Sequence, residues 1–540
     1  MRYLMVAAVA LGISWGIELN AQEAQQRKVD GAFAEYAKKG SPGCALGVIR
    51  DGNFIFRKGY GVGSVELGVP LSPESVFYMG SVSKQFTAAA VVLAQEQKYL
   101  SLDDDVRKYI PEIPDYGHTI TLREMLHHTS GFRDFLTLFA LAGREVGGIH
   151  SEGEILDIIA RQKGLNNQPG EAWLYSNTNY YLLGVVIERA TKQSLNEFAT
   201  ENIFKPLEMT HTRFYDDHTL VLPGRVAAYD PGEDGTFLVG WSTSYDIVGA
   251  GGLMSTVDDL LLWDRNFYEN KLGKGTLVKE LQTKGVLNDG KEISYALGLE
   301  ISSYRGLATV GHSGALYGYR TNLLRFPEQR FTVVCLCNIG NAVPGNLSRR
   351  VADIYLEKEL HPEATPNEKE FPDASQFAGK YLDSHRHFVY TFSATGGRLM
   401  AWGAKLRRVG PKQFRDLGTG TITFEASGEE MNATLEMDGK AFFAGQRIEP
   451  PKLSDAELAA YTGSYKSTEL DATYTVKVEQ GTLKLRYGWK PAEELTPLTK
   501  DEFESGGYGT IVFQRGANGQ VNGFSINTVE ARDIGFDKTK

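Results

Sequence analysis

The sequence predicts an α+β protein in which a long mixed region, residues 22–360, precedes two small antiparallel β-barrels, 371–448 and 453–538. Three observations predict it. Helical and strand periodicities alternate up to about residue 360, after which short alternating strands with glycine turns take over. The stretch 361–370 (HPEATPNEKE) is polar, charged and proline-containing, as linkers are. The C-terminal part also repeats itself: Phe377-Ala378-Gly379-Lys380-Tyr381 returns 84 residues later as Tyr461-Thr462-Gly463-Ser464-Tyr465.

The repeat extends further. Tyr390-Thr391-Phe392 matches Tyr474-Thr475-Val476 at the same offset, and Thr421-Ile422-Thr423-Phe424 matches Thr510-Ile511-Val512-Phe513 at an offset of 89. Two copies make two similar units, whereas a solenoid needs three or more. Alternating strands with edges to hide close as small barrels, and Glu449-Pro450-Pro451-Lys452 is the joint between them.

Length and composition agree with several soluble domains: 540 residues, 42% hydrophobic and 23% charged. A net charge of −10 without any Lys/Arg run argues against nucleic acid as a partner. Arg2, the apolar run 4–17 and Leu19-Asn20-Ala21 read as a signal peptide over 1–21, so export to the periplasm or the medium is expected. No later segment approaches the roughly 18 apolar residues of a membrane span, so no integral membrane protein is expected once the leader is removed. Cys335 and Cys337 point to one face of an apolar strand and cannot easily pair with each other, while Cys44, in another such run, could reach either. At least one of the three stays unpaired, and buried small hydrophobes are the favoured reading. Zinc-type Cys/His spacing and H-E-x-x-H are both missing, so neither metal nor cofactor is implied.

Within the mixed region, strand-like runs 44–49 and 54–59 flank Asp51-Gly52, a hairpin signal. Thr121-Leu122-Arg123-Glu124 has capping-box spacing and opens a short helix that Ser130-Gly131 ends. Ser81-Val82-Ser83-Lys84 stands where Gly80 gives way to an apolar-periodic stretch, 86–93, which places it at a helix N-terminus. There i and i+3 share a face, so the Lys84 amine can lie beside the Ser81 hydroxyl. A lysine serves as base only if burial or positive neighbours lower its pKa by roughly 3 units. Alone, S-x-x-K occurs by chance about once or twice in such a chain and reads as a capping serine beside a solvated lysine.

Two further elements change that reading. Tyr175-Ser176-Asn177 precedes a helix over 180–188, where Tyr175 could relay a proton and the Asn177 amide could hold a substrate carbonyl. Gly311-His312-Ser313-Gly314-Ala315 begins a strand-like segment that runs to 326, and its glycines would let a substrate backbone approach a strand edge. Singly, Tyr175 reads as a packed aromatic and His312 as structural.

S-x-x-K, then Y-x-N, then [KH]-x-G, in this order, resembles the motif set of class C β-lactamases and penicillin-binding proteins. The stretches 79–87, 126–131 and 249–256 are similar to the same superfamily, and the likeness spans about residues 40–345. The only G-x-S-x-G match, 12–16, lies in the leader, so an α/β-hydrolase elbow is unsupported. The resemblance implies a β-lactamase-like catalytic domain, an antiparallel sheet flanked by helices plus a helical lobe. It also implies Ser81 as nucleophile, Lys84 as its base, Tyr175 as general acid/base, and Asn177, His312, Gly314 and Ala315 as substrate-binding positions. The N–H groups of Ser81 and Ala315 would form the oxyanion hole.

The third motif departs from the usual K-T-G. Histidine is mostly neutral at pH 7 and binds a carboxylate less well than lysine does. The H-x-G form and the two trailing barrels resemble the D-aminopeptidases, in which a loop from the last barrel reaches the active site. Glu469 and Asp471 are acidic candidates for meeting a substrate amine, or else belong to a solvated turn. A peptidase or amidase acting on small D-amino-acid peptides or amides is therefore expected, peptidoglycan-derived peptides among them. The alternatives are a related esterase or weak β-lactamase and, from another class, an inactive peptidoglycan- or partner-binding module. The sequence does not set the oligomeric state.

Overall fold

Strand β1 (Cys44–Arg50) is apolar at nearly every position because the fold covers both its faces. Ala45, Gly47 and Ile49 face helix Val257–Glu269, and a side chain on Gly47 would strike Val257. Cys44, Leu46 and Val48 pack instead with Leu347, Val351 and Ala352 of helix Pro344–Tyr355. At the turn Asp51 (φ 51°) and Gly52 (φ 71°) both take positive φ, as a type I′ turn requires. The chain then returns as β2 (Asn53–Tyr60).

The computed structural model describes residues 23–240, 246–362, 373–401, 404–415, 420–428, 430–437, 440–488 and 490–539. The leader expected over 1–21 and most of the 361–370 stretch lie outside the described residues. Four more strands complete the central sheet: β3 (Glu300–Tyr304), β4 (Leu307–Leu316), β5 (Tyr319–Phe326) and β6 (Phe331–Cys337). The order is β3-β4-β5-β6-β1-β2, antiparallel throughout.

The run expected as one strand from 311 to 326 is therefore a hairpin, turned by Tyr317 (φ 48°) and Gly318. No N-G or D-G signal marks this turn; Gly318 is glycine because a side chain there would strike the backbone of Tyr229. Pairing of β3 with β4 stops at Gly311, which leaves 312–316 as an open edge on that side.

Register also corrects the cysteine reading. Cys44 and Cys337 are opposed on β1 and β6 and form a disulfide, whereas Cys335 stays a buried thiol with its Sγ 3.8 Å from that of Cys337. Neighbouring strand order, which a lone sequence does not display, brings the pair together.

On the other side of the sheet lies the helical lobe, built on α1 (Lys84–Glu96), α2 (Leu122–Leu126), α3 (Phe135–Ala142) and α4 (Asn177–Thr191). Thr121 and Glu124 form the expected capping box, but α2 stops at Leu126, before Ser130-Gly131, because His128 turns the chain with φ 58°. Among the described residues no helix is long and apolar enough to cross a membrane.

The two C-terminal units share their construction. Tyr381 pairs with Tyr390 in the first and Tyr465 with Tyr474 in the second. The Tyr381 and Tyr465 hydroxyls each donate to a carbonyl four residues back, those of Phe377 and Tyr461. The second unit is a closed eight-stranded barrel. The first stops just short of closing: its end strands, Ala404–Lys405 and Arg407–Arg408, meet only through Leu406, whose N–H donates to the Leu399 carbonyl. Their cores differ in a way the repeat conceals. The first barrel has an apolar cluster of its own, while that of the last barrel is continuous with the core of the helical lobe.

Candidate active site

Ser81 lies in the 3₁₀ turn Gly80–Ser83 that runs straight into α1. The turn is pinned from three sides. Ser83 Oγ donates to the Gly80 carbonyl (2.6 Å) and accepts from the Leu253 N–H (3.1 Å). Against the third side lies β4: a side chain on Gly314 would strike the Met79 carbonyl oxygen and the Ser81 nitrogen, and one on Gly80 would strike the Ala315 nitrogen. These glycines let the Ser81 turn and the 314–315 stretch of β4 pack backbone against backbone. That is how Gly314 acts here, packing against the turn rather than leaving space for a substrate chain.

Lys84, first residue of α1, is fully buried, and its Nζ has three neighbours: Ser81 Oγ (3.1 Å), Asn177 Oδ1 (2.8 Å) and the Ala250 carbonyl (2.7 Å). A neutral amine fits this set well. Its two N–H bonds go to the two carbonyl-type oxygens, and its lone pair faces the Ser81 hydroxyl. Burial pushes the Lys84 pKa down from 10.5 to about 7, against the smaller opposing pull of Asp134 and Glu530. Tyr175 completes the cluster by donating from its hydroxyl to Ser81 Oγ (2.8 Å), and burial holds its phenol well above the ordinary value. The Lys84 ammonium position also lies over the Tyr175 and Tyr180 rings, at 4.8 and 5.6 Å.

His312 lies on β4 beside these groups, and its ring is spoken for. Nδ1–H donates to the Ser313 carbonyl (2.6 Å), so Nε2 accepts from the Tyr295 hydroxyl (3.0 Å). Burial, with Lys84 nearby, lowers its pKa to about 4. The site thus holds a neutral imidazole where K-T-G proteins hold a cation.

Several groups escaped the sequence reading. His128 is fully buried, and its Nδ1 accepts the Ser176 N–H (3.2 Å) while its ring lies tilted against that of Tyr175, with centroids 4.3 Å apart. Nε2 therefore carries the proton, and burial keeps the ring neutral. Asp134 caps α3 through the Leu136 and Thr137 N–H groups and accepts the Asn177 N–H (2.5 Å), which holds the start of α4 against Lys84. The surrounding motif stretches 126–131 and 249–256 were visible, but their roles depended on burial and register.

The acidic candidates resolve unexpectedly. Asp471 occupies an exposed turn (φ 51°) near Lys466. Glu469 is buried and joins the last barrel to the lobe. Its carboxylate takes Arg133 Nη1 (2.6 Å) and the Lys163 N–H (2.9 Å). The barrel residue that approaches Lys84 is Glu530, in the loop between strands Val521–Asn527 and Ile534–Lys538. Its carboxylate accepts from Thr137 Oγ1 (2.8 Å) and its backbone carbonyl from the Asp134 N–H (3.0 Å). Burial and the nearby Asp134 raise the Glu530 pKa to about 7.

A family model described as Beta-lactamase matches residues 28–356. The chain belongs to the beta-lactamase family. It is a serine hydrolase of that fold. The D-aminopeptidase of Gluconobacter oxydans (strain 621H) is 25% identical over 524 residues, covering 92% of this chain and 96% of the relative. That of Brucella suis biovar 1 (strain 1330) is 24% identical over 523 residues, with the same coverage. Among solved structures, an octameric penicillin-binding protein homologue from Pyrococcus abyssi superposes with a TM-score of 0.56 at 22% identity, covering 86% of this chain and 98% of its own. A D-amino acid amidase from Ochrobactrum anthropi SV3 gives 0.51 at 20% identity, covering 62% and 99%. These two likenesses show the fold.

Proposed function

We propose that this chain is an exported D-aminopeptidase-like hydrolase that cleaves small D-amino-acid peptides or amides through an acyl-enzyme on Ser81. The observation that carries the reading is the pair of contacts on Ser81 Oγ: a buried amine whose pKa is near 7 on one side and a phenol on the other. Lys84 takes the Ser81 proton as Oγ bonds to the substrate carbonyl carbon, and the resulting oxyanion meets the Ser81 and Ala315 N–H groups. Collapse breaks the C–N bond while the leaving nitrogen takes a proton through Tyr175. Water then repeats the sequence on the ester and frees Ser81.

Two features favour an amine-bearing substrate over a penicillin. His312 is neutral and occupied on both nitrogens, so it offers a substrate carboxylate no fixed cation. Asp134 and Glu530, by contrast, form a buried acidic pair near Lys84 that a substrate ammonium would complement. The likeness to D-aminopeptidases over 92% of the chain, both barrels included, supports the same choice. The Cys44–Cys337 disulfide supports export, since such bonds persist in oxidising compartments.

The test is turnover of D-alanine p-nitroanilide, L-alanine p-nitroanilide, p-nitrophenyl butyrate and nitrocefin, with fluorophosphonate labelling of Ser81. Turnover of the D-anilide above the others is expected. A folded wild-type protein that takes no label would refute the nucleophile, and faster nitrocefin turnover would refute the substrate class.

A further inference from the structure

A cavity of about 70 Å³ opens where the catalytic region meets both barrels. Water needs about 10–15 Å³ on this scale, so a side chain of several heavy atoms fits. Its apolar wall is Trp173, Leu287 and Ile293. These belong to one small cluster with Tyr175 and Tyr295, so the cavity backs directly onto the phenol that touches Ser81. Since Tyr175 serves the departing nitrogen in the reading above, this wall lies on the leaving-group side.

The polar lining of the cavity is mixed: Trp173, Lys291, Arg386 and Arg532 bring donors, whereas Glu292 brings a carboxylate and Asn167 an amide. Trp173 Nε1 is buried and has no hydrogen-bond partner. Arg532, from the same last-barrel loop as Glu530, brings a half-buried guanidinium, and Arg386 comes from the first barrel. Neither arginine makes an ion pair among the described residues. Arg386 donates to the Ala441 and Phe442 carbonyls, and Arg532 is bonded only through its backbone N–H to Asn166 Oδ1. The nearby Asp383 already accepts the N–H groups of His385, Arg386 and Ala444. Lys291, Arg386 and Arg532 together outnumber the carboxylates of Glu292, which lies 3.9 Å from Lys284, and of the nearby Asp383, so positive charge is in excess here and the planar guanidinium forks suit a further carboxylate.

We infer that this cavity is a leaving-group subsite, which holds an apolar side chain against Trp173, Leu287 and Ile293 and the free α-carboxylate of the same residue on Arg386 and Arg532. The preferred substrates are then dipeptides whose second residue is apolar and ends the chain. The inference rests on the Ser81 reading and specifies the other half of the same site.

The experiment measures kcat/KM of the full-length protein on D-alanyl-leucine, D-alanyl-leucinamide and D-alanyl-glycine. A charge-assisted carboxylate contact should favour the leucine acid over its amide by about tenfold to a hundredfold. It should also be preferred to the glycine acid. Arg532→Gln and Arg386→Gln should each bring the acid/amide ratio toward one, and Arg532→Lys should keep part of it. Free leucine should inhibit D-alanine p-nitroanilide turnover by wild-type protein more strongly than leucinamide does, a comparison that needs no variant to fold. A wild-type ratio near one, or equal inhibition by leucine and leucinamide, overturns the subsite while leaving the Ser81 reading standing. Loss of all Ser81 labelling and turnover overturns both.

Discussion

Lys84 carries the sharpest prediction. At an ordinary pKa of 10.5 about one lysine in 3,000 is neutral at pH 7, whereas at about 7 half are. Burial thus supplies more than a thousandfold in active base. The limb of kcat/KM for D-alanine p-nitroanilide should therefore rise with pH through about 7 and flatten above it, reporting the free enzyme. His312, at about 4, titrates too low to account for it. Glu530 lies at about 7 and must be separated. Because its charge raises the Lys84 pKa, Glu530→Gln should move the limb to lower pH without abolishing it. Lys84→Arg, which cannot deprotonate, should lose at least about a thousandfold. A limb unmoved by Glu530→Gln, or Lys84→Arg retaining a tenth of wild-type activity, would refute the neutral-amine base. Stability follows the same linkage with a definite sign. The folded pKa lies below the unfolded one, so the unfolded chain binds this proton more tightly. The Lys84 term is therefore unfavourable, by about 5 kcal/mol, below pH 7 and fades as pH rises toward 10.5.

Further outcomes are expected. Tyr175→Phe should lower kcat on anilides by about 10²–10⁴ and affect a p-nitrophenyl ester far less, because nitrophenolate leaves without a proton; equal losses on both substrates would remove Tyr175 from leaving-group protonation. Glu469→Ala strands the buried Arg133 and should destabilise the protein by about 3–5 kcal/mol in urea unfolding; a loss under 1 kcal/mol would mean that this ion pair does not help to hold the last barrel. Cys44→Ser should cost about 2–5 kcal/mol, as the disulfide closes a loop of 293 residues' separation; unchanged stability after gentle reduction would show that the bond contributes nothing.

Much of this was legible beforehand, for identifiable reasons. The Asp51-Gly52 hairpin, the capping box at Thr121 and the barrel repeat are local signals, and each forms as the residues dictate. Ser81, Lys84 and Tyr175 were legible as motifs, and the structure brings them within hydrogen-bond reach. What escaped depends on neighbours distant in sequence. Cys44 faces Cys337 only because β1 and β6 are adjacent. The turn at Tyr317-Gly318 is hidden in a run that reads as one strand. Glu469 and Asp471 looked alike as acids in a turn, yet one is buried on Arg133 and the other is solvated.

The last barrel is best regarded as part of the catalytic body. Its Tyr474 and Tyr487 hydroxyls donate to the Leu141 and Ala140 carbonyls (2.6 and 3.0 Å), which satisfies the acceptors that helix α3 leaves open at its end. The N-terminus of that helix is Asp134, which accepts the Asn177 N–H and receives Glu530 from the same barrel. One short helix is therefore held by the barrel at both ends, and through Asp134 it sets the position of Asn177 on Lys84. The apolar cores of the barrel and the lobe are continuous, so detaching the barrel would expose that core and free both ends of α3 together. The first barrel has its own closed cluster and borders the site instead, through Arg386, Ala441 and Phe442 at the leaving-group cavity and through Lys405, Arg407 and Arg415, which line a larger cavity together with His312 and Ser313. Of two units built on one repeated pattern, one shares the core of the catalytic lobe and the other borders the site with a core of its own.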